Sequence, residues 1–441
     1  MKKNPYEYGK KELMKDPVQP LTEVHKDLLF SNKRFCMLPW MHIHAHPNGK
    51  AYTCCMADMK NTVGDTKVQS LEEIWNGNPM REIRNNMLAG EPIEMCSRCY
   101  EQEDNGFFSQ RESSNKHFGH HVSLVDTTKD DGSADMNLIY WDIRFSNLCN
   151  LKCRSCGHSF SSNWYDDQIK LIEKQHSKPN ADYYKAQNQR VIFTGRSIND
   201  TYDQLVSHID EVEQIYFAGG EPLIMEEHYR LLKLLVDKNM NHVRLIYNTN
   251  FTEMTYKKTN VLDLWTQFES VSVGASLDAM GPLGEYMRKN TVWSDVEHNR
   301  EEMLKKCPKV DFYISSTLSI MNVWQLPSFH RAWVDKGFIE PKDLNINILQ
   351  DPAIFRIDVL PKKQKKDIKK LYMEHIRWLK PLDGLTRATQ GYMATLKFML
   401  GDDKSHLLPG FWNRTLMLDD IRNEDIFEII PELKEVYDEN K

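Results

Sequence analysis

Cys149, Cys153 and Cys156 follow one another in a Cys-x3-Cys-x2-Cys spacing, directly after a strand-like stretch. Three thiolates on one short loop can hold three irons of a cubane cluster and leave the fourth iron without a protein ligand. Such an open metal position admits a small molecule, as the free place of a catalytic zinc site does, and an amino group with a carboxylate could chelate it. A second set lies earlier. Cys36 is followed by Pro39-Trp40, Gly49 and Cys54-Cys55, in a Cys-x12-Gly-x4-Cys spacing, and the set ends in Cys96-x2-Cys99. Cys36, Cys54, Cys96 and Cys99 offer four thiolates, enough to close a cluster with no open place, and Cys55 is the alternative to Cys54. Zinc also takes cysteines at these spacings, so the spacing alone leaves zinc open for both sets.

The run Asp142-Ile143-Arg144-Phe145-Ser146-Asn147-Leu148-Cys149-Asn150-Leu151-Lys152-Cys153-Arg154-Ser155-Cys156 resembles the cluster loop of the radical S-adenosylmethionine superfamily. It departs from it at Ser155, where the family commonly has an aromatic residue near the bound cofactor. Gly219-Gly220-Glu221-Pro222, at the end of Ile215-Tyr216-Phe217-Ala218, resembles the family's second motif. Paired glycines allow close backbone approach, and the resemblance implies that these four residues contact the methionine moiety of the cofactor. Ser276-Leu277-Asp278-Ala279-Met280-Gly281 with Tyr286-Met287-Arg288 resembles the fourth-strand region of peptide-modifying members. By that likeness Ser276 contacts the cofactor ribose, Arg288 its carboxylate, and Asp278 contacts substrate or relays a proton. Asn248, in Asn248-Thr249-Asn250 after the third strand, is a further cofactor-site candidate, as are Ser316 and Asn322 around the fifth. Ser and Asp also cap helices after strands, which is the plain alternative for Ser276 and Asp278.

The earlier cysteines, with Ser70-Leu71-Glu72-Glu73-Ile74-Trp75-Asn76 between them, resemble the SPASM/twitch auxiliary-cluster module of radical enzymes. The family spacing counts from the glycine, which favours Cys54 over Cys55. Two departures stand out. The module precedes the barrel instead of following it, and the additional cysteines of full SPASM members are missing after Cys99, so one auxiliary [4Fe–4S] cluster is expected.

The resemblance spans about residues 36–105 and 137–350. It implies an enzyme that receives an electron from a donor such as flavodoxin or ferredoxin, cleaves S-adenosylmethionine reductively, and uses the 5′-deoxyadenosyl radical to take hydrogen from a substrate. A peptide or protein side chain is the expected substrate, because the auxiliary module is frequent among peptide-modifying members. Modification of a small metabolite, sugar or nucleotide is the alternative, and a non-catalytic zinc-stabilised binding protein is a third.

Composition agrees with this chemistry. Of nine cysteines, eight lie in the first 156 residues, and Cys307 stands apart as an expected bystander thiol. The N-terminal residues lack the apolar core of a secretory signal, and no apolar run has membrane-spanning length. A reducing cytoplasm is therefore expected, where clustered thiols suggest metal, not disulfides. A net charge of -6 gives no bulk attraction to nucleic acid, and neither nucleic acid nor membrane is an expected partner.

The elements that must position these residues read as an α/β fold: a partial (β/α)6 radical-SAM barrel, an N-terminal cysteine-rich twitch-like module and a helical C-terminal region. Residues 1–30 are a tail or early helix, and 31–105 form the module. There Met41–His46 alternates like a strand, Pro47-Asn48-Gly49 turns, and Ala51–Cys54 returns. Ser70 with Glu73 makes a capping box, from which a helix carrying Ile83 and Met87 on one face is expected. His42, His44 and His46 share one strand face and are expected to be ordinary polar or packed histidines. Residues 106–136, polar throughout, resemble a linker. Residues 137–350 carry strands at Leu138–Phe145, Gln214–Ala218, Val243–Tyr247, Val271–Ser276, Val310–Ser316 and Leu344–Leu349, with a mainly helical insertion over about 157–210. Residues 351–441 read as helical, and the lysines of 361–366 as a solvated helix face.

Overall fold

The computed structural model describes residues 13–104, 108–175, 178–197, 199–383 and 387–439. They fall into two units. One comprises the chain up to Ser146 with Phe193–Gly219 and His242–Arg244, the other Asn147–Ile192, Gly220–Asn241 and the chain from Leu245 on. All six expected strands form, as Tyr140–Ile143, Gln214–Phe217, Arg244–Thr249, Val271–Ala275, Asp311–Leu318 and Leu344–Ile348. The fold is mixed α/β with parallel strands and a helical C-terminal region.

In the first unit Tyr140–Ile143 pairs in parallel with Gln214–Phe217 on one side and with His44–Ala45 on the other. His44–Ala45 and Lys50–Tyr52 make the expected hairpin, and Gly64–Asp65 extends it. Gly49 closes the turn at φ +91°, where a Cβ would meet the Lys67 side chain at 2.5 Å. The capping box of Ser70 and Glu73 is present. It starts a short helix, Leu71–Trp75, and the single helix expected from it is two: Gly77 and Pro79 break the chain and begin Asn78–Ala89, which buries Ile83 and Met87. Pro fits the first turn of the second helix because no N–H partner is lost there.

The described residues of the expected linker, from 108 on, carry helical structure. Ser109 caps a helix over Gln110–Phe118, which continues into 3-10 turns over Gly119–Thr127. Its polar residues turn inward: Asn115 and Arg111 both donate to the carbonyl of Phe35. Of residues 1–30, those from 13 on are described, and Thr22 caps a helix over Glu23–Phe30.

In the second unit four parallel strands run in the order Arg244–Thr249, Val271–Ala275, Asp311–Leu318, Leu344–Ile348. Val271–Ala275 is buried along its whole length, as a strand covered on both faces must be. The insertion is helical over Tyr165–Lys174 and Lys178–Gln187 here, and over Asp200–Val206 in the first unit. The C-terminal residues form helices Lys362–Asp383, Arg387–Met399, Leu408–Arg422 and Pro431–Glu439. Lys362, Lys363 and Lys366 are exposed as expected, whereas Lys365 is buried and pairs with Asp403.

Candidate cluster and cofactor site

The cysteine loop lies wholly in the second unit and is clasped there by the glycine turn. The carbonyl of Leu148 accepts from the N–H of Glu221 at 2.7 Å. A Cβ on Gly220 would fall 2.1 Å from that same oxygen, so only glycine fits. Lys152–Cys153 then pairs antiparallel with Arg288–Lys289. Trp164 donates its indole N–H to the carbonyl of Cys153 at 2.8 Å, and Ser162 accepts from the N–H of Cys149 at 3.3 Å. These bonds fix the backbone that carries all three sulfurs.

The three thiols share one environment. Burial, then the neighbouring Cys153, pushes the Cys149 thiol up to about 12. A hydrogen bond with Cys156 pulls the Cys153 thiol down to about 7 against burial, helped by the Arg288 guanidinium. Arg288 Nη1 lies 3.6 Å from Cys153 Sγ. Its other edge is taken by Asp278, with Nε–Oδ2 at 2.8 Å and Nη2–Oδ1 at 3.0 Å. Asp278 Oδ1 also accepts from the Thr317 N–H at 2.8 Å. Asn322 clamps the same segment by donating to the Asp278 carbonyl at 2.7 Å.

Glu221 turns its carboxylate inward and not toward open space. It accepts from the N–H of Asn250 at 2.6 Å, the Thr249 hydroxyl at 2.7 Å and the N–H of Leu223 at 3.0 Å. Burial nevertheless pushes its carboxyl up to about 7. Asn250 in turn donates to Asn150 of the cysteine loop at 2.7 Å. Pro222 begins a buried 3-10 turn, and Gly219 sits at φ +111°. Cys153, Arg288, Asp278 and Asn322 thus come together, as do Gly220, Glu221 and the loop. Ser276 and Asn248 stand half-buried at their strand ends, outside these side-chain networks. The Ser316 hydroxyl is fully buried.

Four of the five cysteines of the earlier set converge in the first unit. Cys36, Cys54, Cys96 and Cys99 line one small cavity with Leu38, Met56, Met87 and Met95 in its wall, and Cys55 does not line it. Burial raises all four thiols, Cys96 to about 12, and the thiols of Cys96 and Cys99 add to the rise at Cys36. Buried thiols that raise one another when charged need a cation to be stable as thiolates. The donor sets therefore fit a closed four-thiolate cluster here and a three-thiolate cluster on the loop. Cys307 is buried, as expected of a bystander.

Arg154, between the second and third loop cysteines, is 2% exposed and was not singled out by its spacing. It donates to Asp419 and Glu424 and to the Tyr286 carbonyl, and its guanidinium stacks 3.6 Å from the Tyr286 ring centroid. Arg422 bonds Asp167 at 2.9 Å beside it. The helix Leu408–Arg422 is thereby tied to the cysteine loop.

Residues 36–100 match the family model SPASM, described as an iron–sulfur cluster-binding domain. No curated protein matches the chain. Among solved structures, native anSMEcpe with bound AdoMet and the Cp18Cys peptide is 19% identical, covers 57% of this chain and 62% of its own, and has a TM-score of 0.35. Streptococcus suis SuiB bound to the precursor peptide SuiA is 10% identical, covers 70% of this chain and 69% of its own, and has a TM-score of 0.36. TYW1 with a lysine-pyruvate adduct bound is 14% identical, covers 56% and 71%, and has a TM-score of 0.27. The chain thus spans 62% of the length of the first solved structure it matches. Among the described residues no helix is long and apolar enough to cross a membrane. Residues 36–100 are thus similar to the SPASM family of iron–sulfur cluster-binding domains.

Proposed function

We propose that this chain is a radical S-adenosylmethionine enzyme acting on a peptide or protein side chain. Cys149, Cys153 and Cys156 would hold a [4Fe–4S] cluster with one open iron, and Cys36, Cys54, Cys96 and Cys99 an auxiliary [4Fe–4S] cluster. The observation that carries the reading is the clasp between the two motifs: Gly220 and Glu221 grip the backbone of the three-cysteine loop at Leu148. The peptide class is supported by the SPASM domain alone.

When bound, cluster and cofactor supply a 5′-deoxyadenosyl radical that takes a hydrogen atom from an unactivated carbon. The chain's own residues prepare for this. Asp278 aims Arg288 toward the cluster loop through a two-point ion pair, a geometry that Arg makes rigid. Arg288 then has its Nη1 edge for a cofactor carboxylate. Gly219–Pro222 would hold the methionine moiety of the cofactor, and the Glu221 carboxylate ties this turn to the end of the strand Arg244–Thr249. Ser276 would contact the cofactor ribose, Asn248 is a further residue of the cofactor site, and Asp278 is a positioning residue more than a free proton relay. Cys153 is buried, and Cys149 and Cys156 are half-buried. A flavodoxin- or ferredoxin-class donor supplies the electron.

The test is anaerobic reconstitution, with about eight irons per chain expected for two cubanes, and an assay for 5′-deoxyadenosine. A colourless zinc protein that forms none overturns the proposal. A mass shift in a short peptide encoded beside the gene supports the substrate class; turnover confined to sugars or nucleotides overturns that part alone.

A further inference from the structure

The first unit holds a second group of metal-ligating side chains, distinct from every cysteine. His44 and Asp142 are register partners of two parallel strands. With side chains alternating along each strand, His42 falls on the same face as His44. His44 Nδ1 lies 2.9 Å from Asp142 Oδ2, and both side chains are fully buried. His42 is 1% exposed. One ligand atom from each of the three residues lies within 4.8 Å of the other two.

The hydrogen bonds around the group leave metal-binding atoms spare. The carbonyl of Tyr140 lies 3.0 Å from His42 Nδ1, which makes that nitrogen the N–H donor and leaves Nε2 with its lone pair. The His42 ring is fixed further by stacking on Tyr140, at 4.5 Å between centroids. Burial keeps this imidazole neutral, with its pKa lowered to about 4. Arg144 Nε donates to Asp142 Oδ1 at 3.1 Å, so the carboxylate turns Oδ2 toward His44. His44 Nε2 has no hydrogen-bond partner among the described residues, whereas His44 Nδ1 and Asp142 Oδ2 face each other at 2.9 Å. A buried ring nitrogen without a partner is costly to leave unsatisfied, and a bound cation would take up its lone pair. A backbone carbonyl on the far nitrogen of a histidine and a cation on the far oxygen of a carboxylate are the outer contacts that orient metal ligands.

We propose that His42, His44 and Asp142 bind a single divalent transition-metal ion, zinc or iron(II), independent of the iron–sulfur clusters. Two imidazoles and one carboxylate are a donor set that suits both ions. Three protein ligands leave at least one position for an oxygen donor, water or a substrate group. Arg144 opposes the ion by its charge but, by holding Oδ1, fixes where Oδ2 points, so affinity rests on the two imidazoles.

The test uses full-length protein with its clusters reconstituted, stripped of loose metal and given zinc sulfate or, anaerobically, ferrous ion. We expect one equivalent retained. Zinc K-edge absorption should show a nitrogen and oxygen shell at about 2.0–2.1 Å and no sulfur at about 2.3 Å. Retained iron should give a high-spin ferrous Mössbauer doublet beside the cubane signals. Asp142→Asn and His44→Ala should each lose that equivalent at unchanged cluster iron. A cluster-replete wild type that retains neither ion overturns the proposal without recourse to any variant. A sulfur shell around zinc overturns it too, since the metal then sits on cysteines, as does a folded variant that keeps the ion.

Discussion

Asp278 holds Arg288 through two hydrogen bonds, at 2.8 and 3.0 Å, and leaves the third guanidinium nitrogen 3.6 Å from the sulfur of Cys153. The segment that follows the strand Val271–Ala275 thereby sets a guanidinium beside the cluster loop. Asp278→Asn keeps the shape and removes the charge. Loss of a charged hydrogen bond of about 1.5–3 kcal/mol predicts a fall of about ten- to a hundredfold in 5′-deoxyadenosine formation. Iron content should be unchanged. An undiminished rate would remove Asp278 from the site.

Gly220→Ala tests the clasp. Its Cβ would fall 2.1 Å from the Leu148 carbonyl, a backbone atom that cannot move without the cysteine loop. The variant should lose the loop cluster, about half of the bound iron if both clusters are cubanes. Full iron content with normal cofactor cleavage would contradict the clasp.

Cys54 and Cys55 separate cleanly. Cys54 lines the four-thiol cavity and Cys55 does not. Cys54→Ala should cost the auxiliary cluster and substrate turnover while cofactor cleavage persists. Cys55→Ala should retain both clusters. The reverse pattern in iron analysis would exchange the assignments.

Arg154 is buried against Asp419 and Glu424. Removing one partner of a buried ion pair costs about 3–5 kcal/mol. Arg154→Ala should lower the melting temperature of the cluster-replete protein and release iron from the loop. An unchanged melting curve would show that the helix Leu408–Arg422 does not brace the loop.

Glu221 predicts a pH dependence. Its carboxyl is raised by burial from 4.5 to about 7. Between those values the folded chain holds a proton that the unfolded chain has released, so stability falls as pH rises from about 4.5 to about 7 and levels off above. Urea midpoints of wild type and Glu221→Gln should diverge across that interval, with the wild type the steeper. Parallel slopes would contradict the burial of an ionisable carboxyl there.

Much of the site is legible in the sequence because it is local. Cys149, Cys153 and Cys156 share one loop, and Gly49 marks the hairpin that places Cys54. The six strands announce themselves by apolar runs between helical segments. Long-range polar pairs leave no such trace. Arg154 meets Asp419 across 265 residues, and nothing in either neighbourhood names the other. The segment 106–136 reads as a linker because polar residues ordinarily face water, yet Asn115 and Arg111 spend their donors on the Phe35 carbonyl inside the fold. His42 and His44 look like packed histidines until Asp142, on a strand about a hundred residues later, is set beside them.

The most direct measurement is 5′-deoxyadenosine production by reduced, reconstituted protein with S-adenosylmethionine, comparing wild type with Cys149→Ala/Cys153→Ala/Cys156→Ala. The wild type should form the nucleoside and show an EPR signal that changes when the cofactor is added. The triple variant should form none while its Cys36, Cys54, Cys96 and Cys99 iron remains. Nucleoside formation by the triple variant at the wild-type rate would contradict the account.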